Sequence, residues 1–153
     1  MNRVEKVQDI VDAVVDAMDL DVDVDVEELS EEIHVRIEGD ELGPVIGDDG
    51  RVIDAIQHLA FKAAASDGKP PAPRVVVDAG DYRERRRKAL ERQADEAADA
   101  ALAGAREVAM DPVSAIERKV VHEYLRERGD VETWSEGVEP DRHLVVAPPG
   151  TAA

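Results

Sequence analysis

Within a few residues of Leu20 the hydrophobic period of this chain changes from helical to extended, and that switch limits the fold more than any other feature. Val4, Val7, Val11, Val14, Val15 and Met18 recur at three- and four-residue steps. This is the spacing of one face of a helix over about residues 3–19. From Asp21 the step becomes two: Val22, Val24 and Val26 alternate with Asp, and Ile33, Val35 and Ile37 alternate with polar residues. Two half-buried strands result, joined as a hairpin around Leu29-Ser30-Glu31. A helix followed by a two-faced hairpin has to pack its apolar stripe on one side of a small sheet.

The next segment is punctuated by glycine and proline. Gly43-Pro44 allows at most one helical turn before the corner Gly47-Asp48-Asp49-Gly50. A helix follows, with Val52, Ile53, Ile56, Leu59, Ala60 and Ala63 as its inner face and Gly68 in a C-cap role. Pro70, Pro71 and Pro73 then lead into the apolar strand Arg74–Asp78. The second half opens with a long helix from an N-cap at Asp81 to Ala103 or Gly104, its stripe Leu90, Ala94, Ala97, Ala101 and Ala105 nearly all alanine. Residues 106–110 read as a short strand. Asp111-Pro112 starts another helix, with Val113, Ile116, Val120 and Tyr124 inward, ending at Arg128-Gly129. Residues 131–135 and 142–146 read as two final strands, and residues 149–153 as a disordered tail.

Composition bounds the chemistry. The 153 residues are 43% apolar but only 3% aromatic, so the cores are aliphatic and base-stacking rings are scarce. The absence of cysteine removes disulfides and cysteine-based zinc sites. Residues 1–20 carry several acids and no continuous apolar run, unlike a signal peptide or a membrane span. The net charge of -17 opposes generic attraction to nucleic acid. That charge is uneven: residues 1–78 hold 7 basic and 20 acidic side chains, residues 79–153 hold 12 and 16. The one dense basic run, Arg83-Glu84-Arg85-Arg86-Arg87-Lys88, lies in the balanced half. Abundant Asp and the excess of Arg over Lys fit either adaptation to salt or coding bias.

Three motifs carry candidate chemistry. A Gly-x-x-Gly turn opening a helix brings backbone N–H groups close to phosphate, but here both intervening residues are Asp. Its alternative is a helix-start turn in which the Asp side chains cap free N–H groups; a magnesium ion bridging Asp48 and Asp49 to phosphate is a weaker option. Arg118 and His122, four apart, stand one above the other on an exposed helix face, where they bind one phosphate together or simply meet solvent. Arg83, Arg86 and Arg87 prolong the long helix's stripe toward a ligand or a docked partner, or else pair with neighbours, as Arg87 with Glu91 and Glu84 with Lys88. His34, His58, His122 and His143 lack metal-ligand spacing, and no nucleophile elbow or Walker sequence occurs.

In order, Val45-Ile46-Gly47-x-x-Gly50-Arg51-Val52-Ile53, Asp81-Tyr82-Arg83-Glu84-Arg85-Arg86, Glu117-Arg118-x-x-x-His122 and Ser135-Glu136-Gly137-Val138-Glu139-Pro140-x-Arg142 strongly resemble the Jag (KhpB) family over about residues 20–147. The resemblance implies an α+β chain of two small domains. A KH domain of type II order (α-β-β-α-α-β) occupies residues 1–79, and an R3H domain, helices packed on a small sheet, occupies 80–148. It implies a cytoplasmic, non-enzymatic protein that binds single-stranded RNA or DNA without a cofactor or bound metal. It further implies an RNA chaperone or post-transcriptional regulator linked to cell elongation and envelope homeostasis. The partner it implies is a small KH protein of the KhpA type or a second copy, with no direct membrane insertion, and the expected arrangement is one without the separate N-terminal domain of many members. Arg118 and His122 map onto the phosphate-binding pair, and Gly47 and Gly50 onto the KH clamp. With them, Arg51, Arg83, Arg86, Arg87, Lys119 and Arg142 complete the expected nucleic-acid-binding set. Two aspartates in the clamp shift the expected affinity to the R3H domain, since each opposes a phosphate by about 1 kcal/mol or more at surface dielectric. The competing class is a protein-interaction or dimerisation module with a degenerate clamp; a nuclease finds no convincing catalytic set.

Overall fold

The computed structural model describes residues 1–151. The chain divides into two compact units, Met1–Arg83 and Glu84–Ala153.

In the first unit, helix α1 (Arg3–Ala17) begins at a reciprocal cap: the Asn2 side chain accepts from the Glu5 N–H while the Glu5 carboxylate accepts from the Asn2 N–H. Its stripe of Val7, Val11 and Val15 is buried. Strands β1 (Asp23–Leu29) and β2 (Glu32–Glu38) form the antiparallel hairpin, and Ser30 takes a left-handed turn conformation (φ 59). Single-turn helix α2 (Gly43–Ile46), a 3-10 turn at Asp48–Gly50 and helix α3 (Arg51–Ala64) lead to strand β3 (Arg74–Ala79), which pairs parallel to β2. The strand order is β1-β2-β3. One sheet face, built by Ile33, Val35, Ile37, Val75, Val77 and Ala79, joins α1 and α3 in a single aliphatic core. Arg3 ties the start of α1 to the proline-rich link through Asp67 (3.0 and 3.1 Å) and the carbonyl of Lys69 (2.7 Å). That guanidinium, with the Lys69 N–H donating to the same carboxylate, lowers the Asp67 pKa to about 2.

Helix α4 (Tyr82–Gly104) starts with the last two residues of the first unit. The carboxylate that accepts from the Arg83 N–H belongs to Asp78 (3.1 Å). Asp81, the expected cap, is left-handed (φ 57) rather than extended as a capping residue is.

In the second unit, α4 buries Leu90, Ala94, Ala97, Ala98 and Ala101 against Val121 and Leu125 of helix α5 (Ala115–Arg128) and against Leu144 and Val146. The small alanine side chains give a core with almost no aromatic content. Strands β4 (Val108–Ala109), β5 (Glu132–Glu136) and β6 (His143–Ala147) make an antiparallel sheet of order β4-β6-β5. Beyond β6, the Gly150 N–H donates to Glu132 (2.7 Å), and Ala152 and Ala153 of the expected tail lie outside the described residues.

The order of elements matches the expected mixed fold, while one helix boundary and two helix faces differ from expectation. Helix α5 starts at Ala115 under a Ser114 cap rather than at Pro112. Its inner face is Arg118, Val121 and Leu125, whereas Ile116 is 78% exposed. At 100° per residue Ile116 sits about 200° from Arg118, so burying one exposes the other. Leu59 of α3 is exposed because it lies about 100° round the helix from the middle of the Ile53, Ile56, Ala60 and Ala64 stripe.

Candidate nucleic-acid interface

Helix α5 and the strands beside it enclose an open recess of about 310 Å³ lined by Ala115, Arg118, Lys119, His122, Trp134, Ser135, Arg142 and Leu144. Ala115, Lys119 and His122 recur at helical spacing, so one flank of α5 faces the recess. The recess therefore gathers four of the sequence-expected residues: Arg118, Lys119, His122 and Arg142. Trp134, from the middle of β5, adds an aromatic wall; its indole N–H donates to Glu136 (2.9 Å).

Arg118 is not the freely exposed cation that its spacing predicts. It is buried, and its guanidinium donates to the carbonyls of Val113 (2.6 Å) and Arg142 (3.3 Å) and to the carboxylate of Glu139. These acceptors explain how a cation enters the apolar face of α5 without being left unpaired. One side chain thus fixes the segment before α5 and the β5–β6 loop to the helix. The guanidinium has five N–H donors, and these bonds use three. Among the described residues, its Nε–H and one Nη2–H meet no acceptor.

His122 is half-buried and hydrogen-bonds through Nδ1 to the Thr133 hydroxyl. That bond locks the ring to β5 and leaves Nε2 for a ligand. If Thr133 donates to Nδ1, Nε2 carries the proton and donates even from the neutral ring. Lys119 is exposed. Arg142 donates to the Gly137 carbonyl (2.9 Å), a tie that shapes the loop and holds the charge at the recess edge.

The basic run is committed elsewhere. Arg83 donates to the Val77 carbonyl (2.8 Å), Asp54 (3.0 Å) and Gln57 (2.9 Å), all within the first unit. Arg86 makes a two-point pair with Glu117 (3.1 and 3.0 Å). Arg87 pairs with Glu84 and Glu91 along α4, and that proximity lowers the Glu84 pKa and raises that of Arg87. Neither Arg86 nor Arg87 lines the recess. Sequence periodicity could not find these partners, because Glu117 and Gln57 are remote in the chain.

The clamp turn has the tight backbone its glycines imply. Gly47 and Gly50 have φ 74 and 82, and a Cβ on them would come within 2.4 Å of Val52 and 2.8 Å of the Tyr82 ring. Asp49 is itself left-handed (φ 52). The N–H groups of Gly47, Gly50 and Arg51 donate to the carbonyls of Gly43, Gly47 and Asp48. What the turn can still offer a phosphate comes with the carboxylates of Asp48 and Asp49, both exposed, and Arg51 is exposed beside them. Among the described residues no group of three or more His, Asp or Glu is placed to hold a metal, and no helix is long and apolar enough to cross a membrane.

Comparison with known proteins places both units. Residues 4–77 match the family model for the KH domain of KhpA/KhpB, and residues 88–148 match the R3H domain. A relative from Clostridium symbiosum named RNA-binding protein KhpB is 33% identical over 145 residues, covering 94% of this chain and 65% of the relative. Proteins of the same name from Lactiplantibacillus plantarum and Streptococcus pneumoniae are 41% identical over 105 residues and 30% over 141, covering 69% and 92% of this chain and 32% and 43% of theirs. The chain thus spans between about a third and two thirds of the length of these relatives. The chain thus carries a KH domain of the KhpA/KhpB type followed by an R3H domain, and along most of its length it is similar to proteins named RNA-binding protein KhpB.

Proposed function

We propose that this chain binds single-stranded RNA, without catalysis, through the R3H recess. The observation that supports the reading is the meeting of Lys119, His122, Arg142 and the open donors of Arg118 around one 310 Å³ recess with an aromatic wall. A phosphate is recognised there by charge and by N–H donors, and a base stacks on Trp134. Sequence preference is weak, because these groups address phosphate and ring faces rather than base edges. The KH domain contributes architecture more than affinity, since its clamp presents carboxylates. Single-stranded DNA of the same length fits the same recess. The relatives' shared name agrees with RNA as the ligand. A regulatory or chaperone role in the cytoplasm, with a small KH partner or a second copy docked on the KH domain, belongs to the same proposal.

Charge reversal at Lys119 tests it. Lys119→Glu leaves the fold intact, because Lys119 is exposed. It lowers affinity for a short single-stranded RNA by about tenfold and makes the salt dependence shallower, by roughly 0.7 in slope for each phosphate that is no longer neutralised. Unchanged affinity and slope reject the recess. The interaction-module reading is favoured by the acidic clamp and the internally paired Arg83 and Arg87. It is supported if the wild-type chain binds a KH partner but no RNA at low salt.

A further inference from the structure

The pairing of Arg118 with Glu139 is asymmetric. The arginine side chain is 8% exposed and the glutamate 57%. Arg118 is fixed by two backbone carbonyls, one in the segment before α5 and one at the end of the β5–β6 loop, whereas Glu139 has only its carboxylate on the guanidinium. Every residue from Glu136 to Asp141 is exposed. Gly137, left-handed with φ 89 and held through its carbonyl by Arg142 (2.9 Å), turns the loop two residues before Glu139. Arg118 also lines the recess, so any phosphate that reaches its guanidinium arrives beside a carboxylate of like charge.

Resting on the RNA-binding reading, we propose that Glu139 is an internal occupant of the phosphate subsite, and that RNA binding displaces it from Arg118. In the free protein the carboxylate neutralises a cation that would otherwise sit buried and half-paired. When a phosphate enters, the guanidinium exchanges one anionic acceptor for another, and the Glu139 side chain turns into the solvent it already borders. Such exchange keeps the R3H domain folded in both states. It also makes the site discriminate: weakly held anions such as free carboxylates cannot expel Glu139, while a phosphodiester that also engages Lys119, Arg142 and Trp134 can.

Glu139→Gln is the direct test, because the amide oxygen still accepts from Arg118 while the competing charge is gone. Affinity for a short single-stranded RNA is expected to rise about fivefold or more, with the unfolding midpoint within about 2 °C of wild type. Lys119→Glu is measured in parallel. If Lys119→Glu weakens binding and Glu139→Gln leaves it unchanged or weaker, displacement is wrong and the recess reading stands. If neither variant changes affinity, both fall. Should Glu139→Gln fail to fold, the wild-type protein decides: the side-chain carboxyl carbon resonance of Glu139 is expected to move to a free, solvated position on saturation with RNA. A resonance that stays in place overturns the proposal.

Discussion

Replacing Arg118 with Met isolates the buried guanidinium, because Met preserves most of the aliphatic volume in the inner face of α5 while removing charge and donors. Three acceptors then lose their donor. The short bond to the Val113 carbonyl (2.6 Å) is the strongest, the one to the Arg142 carbonyl (3.3 Å) is long, and Glu139 returns to water because it is 57% exposed. Hydrogen bonds to a charged group contribute about 1.5–3 kcal/mol each when well formed. An exposed carboxylate adds about 0–1 kcal/mol. Counting the first bond fully, the second at the low end or below, and partial rehydration of both carbonyls, Arg118→Met should cost about 2–3 kcal/mol. For a unit of this size that lowers the midpoint by about 10–20 °C. The single tryptophan, Trp134, sits on β5 beside the site and reports unfolding of this unit by fluorescence in urea. A loss below about 0.5 kcal/mol at unchanged denaturant slope would refute the reasoning, since Arg118 would then behave as a surface cation. Arg118→Lys should fall between the two, because an ammonium retains the charge but cannot reach three divergent acceptors.

Gly50→Ala puts a Cβ 2.8 Å from the Tyr82 ring at φ 82, and is expected to destabilise the KH domain by about 2 kcal/mol or more, read as a lower midpoint in far-ultraviolet circular dichroism. Replacing Asp48 with Lys and Asp49 with Gly removes both clamp carboxylates and suits the left-handed backbone at 49, so RNA affinity should rise and its salt dependence steepen; no change would mean the turn is not a phosphate site at all. The folded Asp67 has its pKa lowered to about 2 by Arg3, below the ordinary carboxylate value of 3.8. Its contribution to stability is therefore complete above about pH 4 and is lost as pH falls toward 2; Asp67→Asn should remove that part of the acid dependence, and an NMR titration that finds an ordinary pKa contradicts the Arg3 pairing.

Local signals carry most of the fold. The change of period at Leu20, the turn at Ser30, the single turn before Gly47 and the glycine ends at Gly68 and Gly129 all act within a few residues, where propensity and turn chemistry dominate. The α5 face departs from its local pattern for a reason that lies elsewhere in the chain. Ile116, Val120 and Tyr124 form a plausible apolar stripe, and no local rule places a charged Arg118 inward. The oxygens that make its burial tolerable come from Val113, Glu139 and Arg142, two of them supplied by the β5–β6 loop. Asp111-Pro112 resembles a helix start, yet the cap is Ser114, three residues on from Asp111. Arg83 and Arg86 read as ligand-facing because their acceptors, Gln57 and Glu117, are distant in sequence. Trp134 has no spacing that ties it to His122; only the pairing of β5 with β6 and the bond between Thr133 and the ring bring them to one recess.

The claim that RNA enters the R3H recess and not the KH clamp is tested most directly by titrating the isotope-labelled wild-type chain with a short single-stranded RNA while recording Trp134 fluorescence and backbone amide shifts. Quenching of Trp134 with shifts concentrated at Ala115–His122, Thr133–Ser135 and Glu139–Leu144 is the expected result. Shifts centred on Gly47–Arg51 with Trp134 unmoved would contradict it.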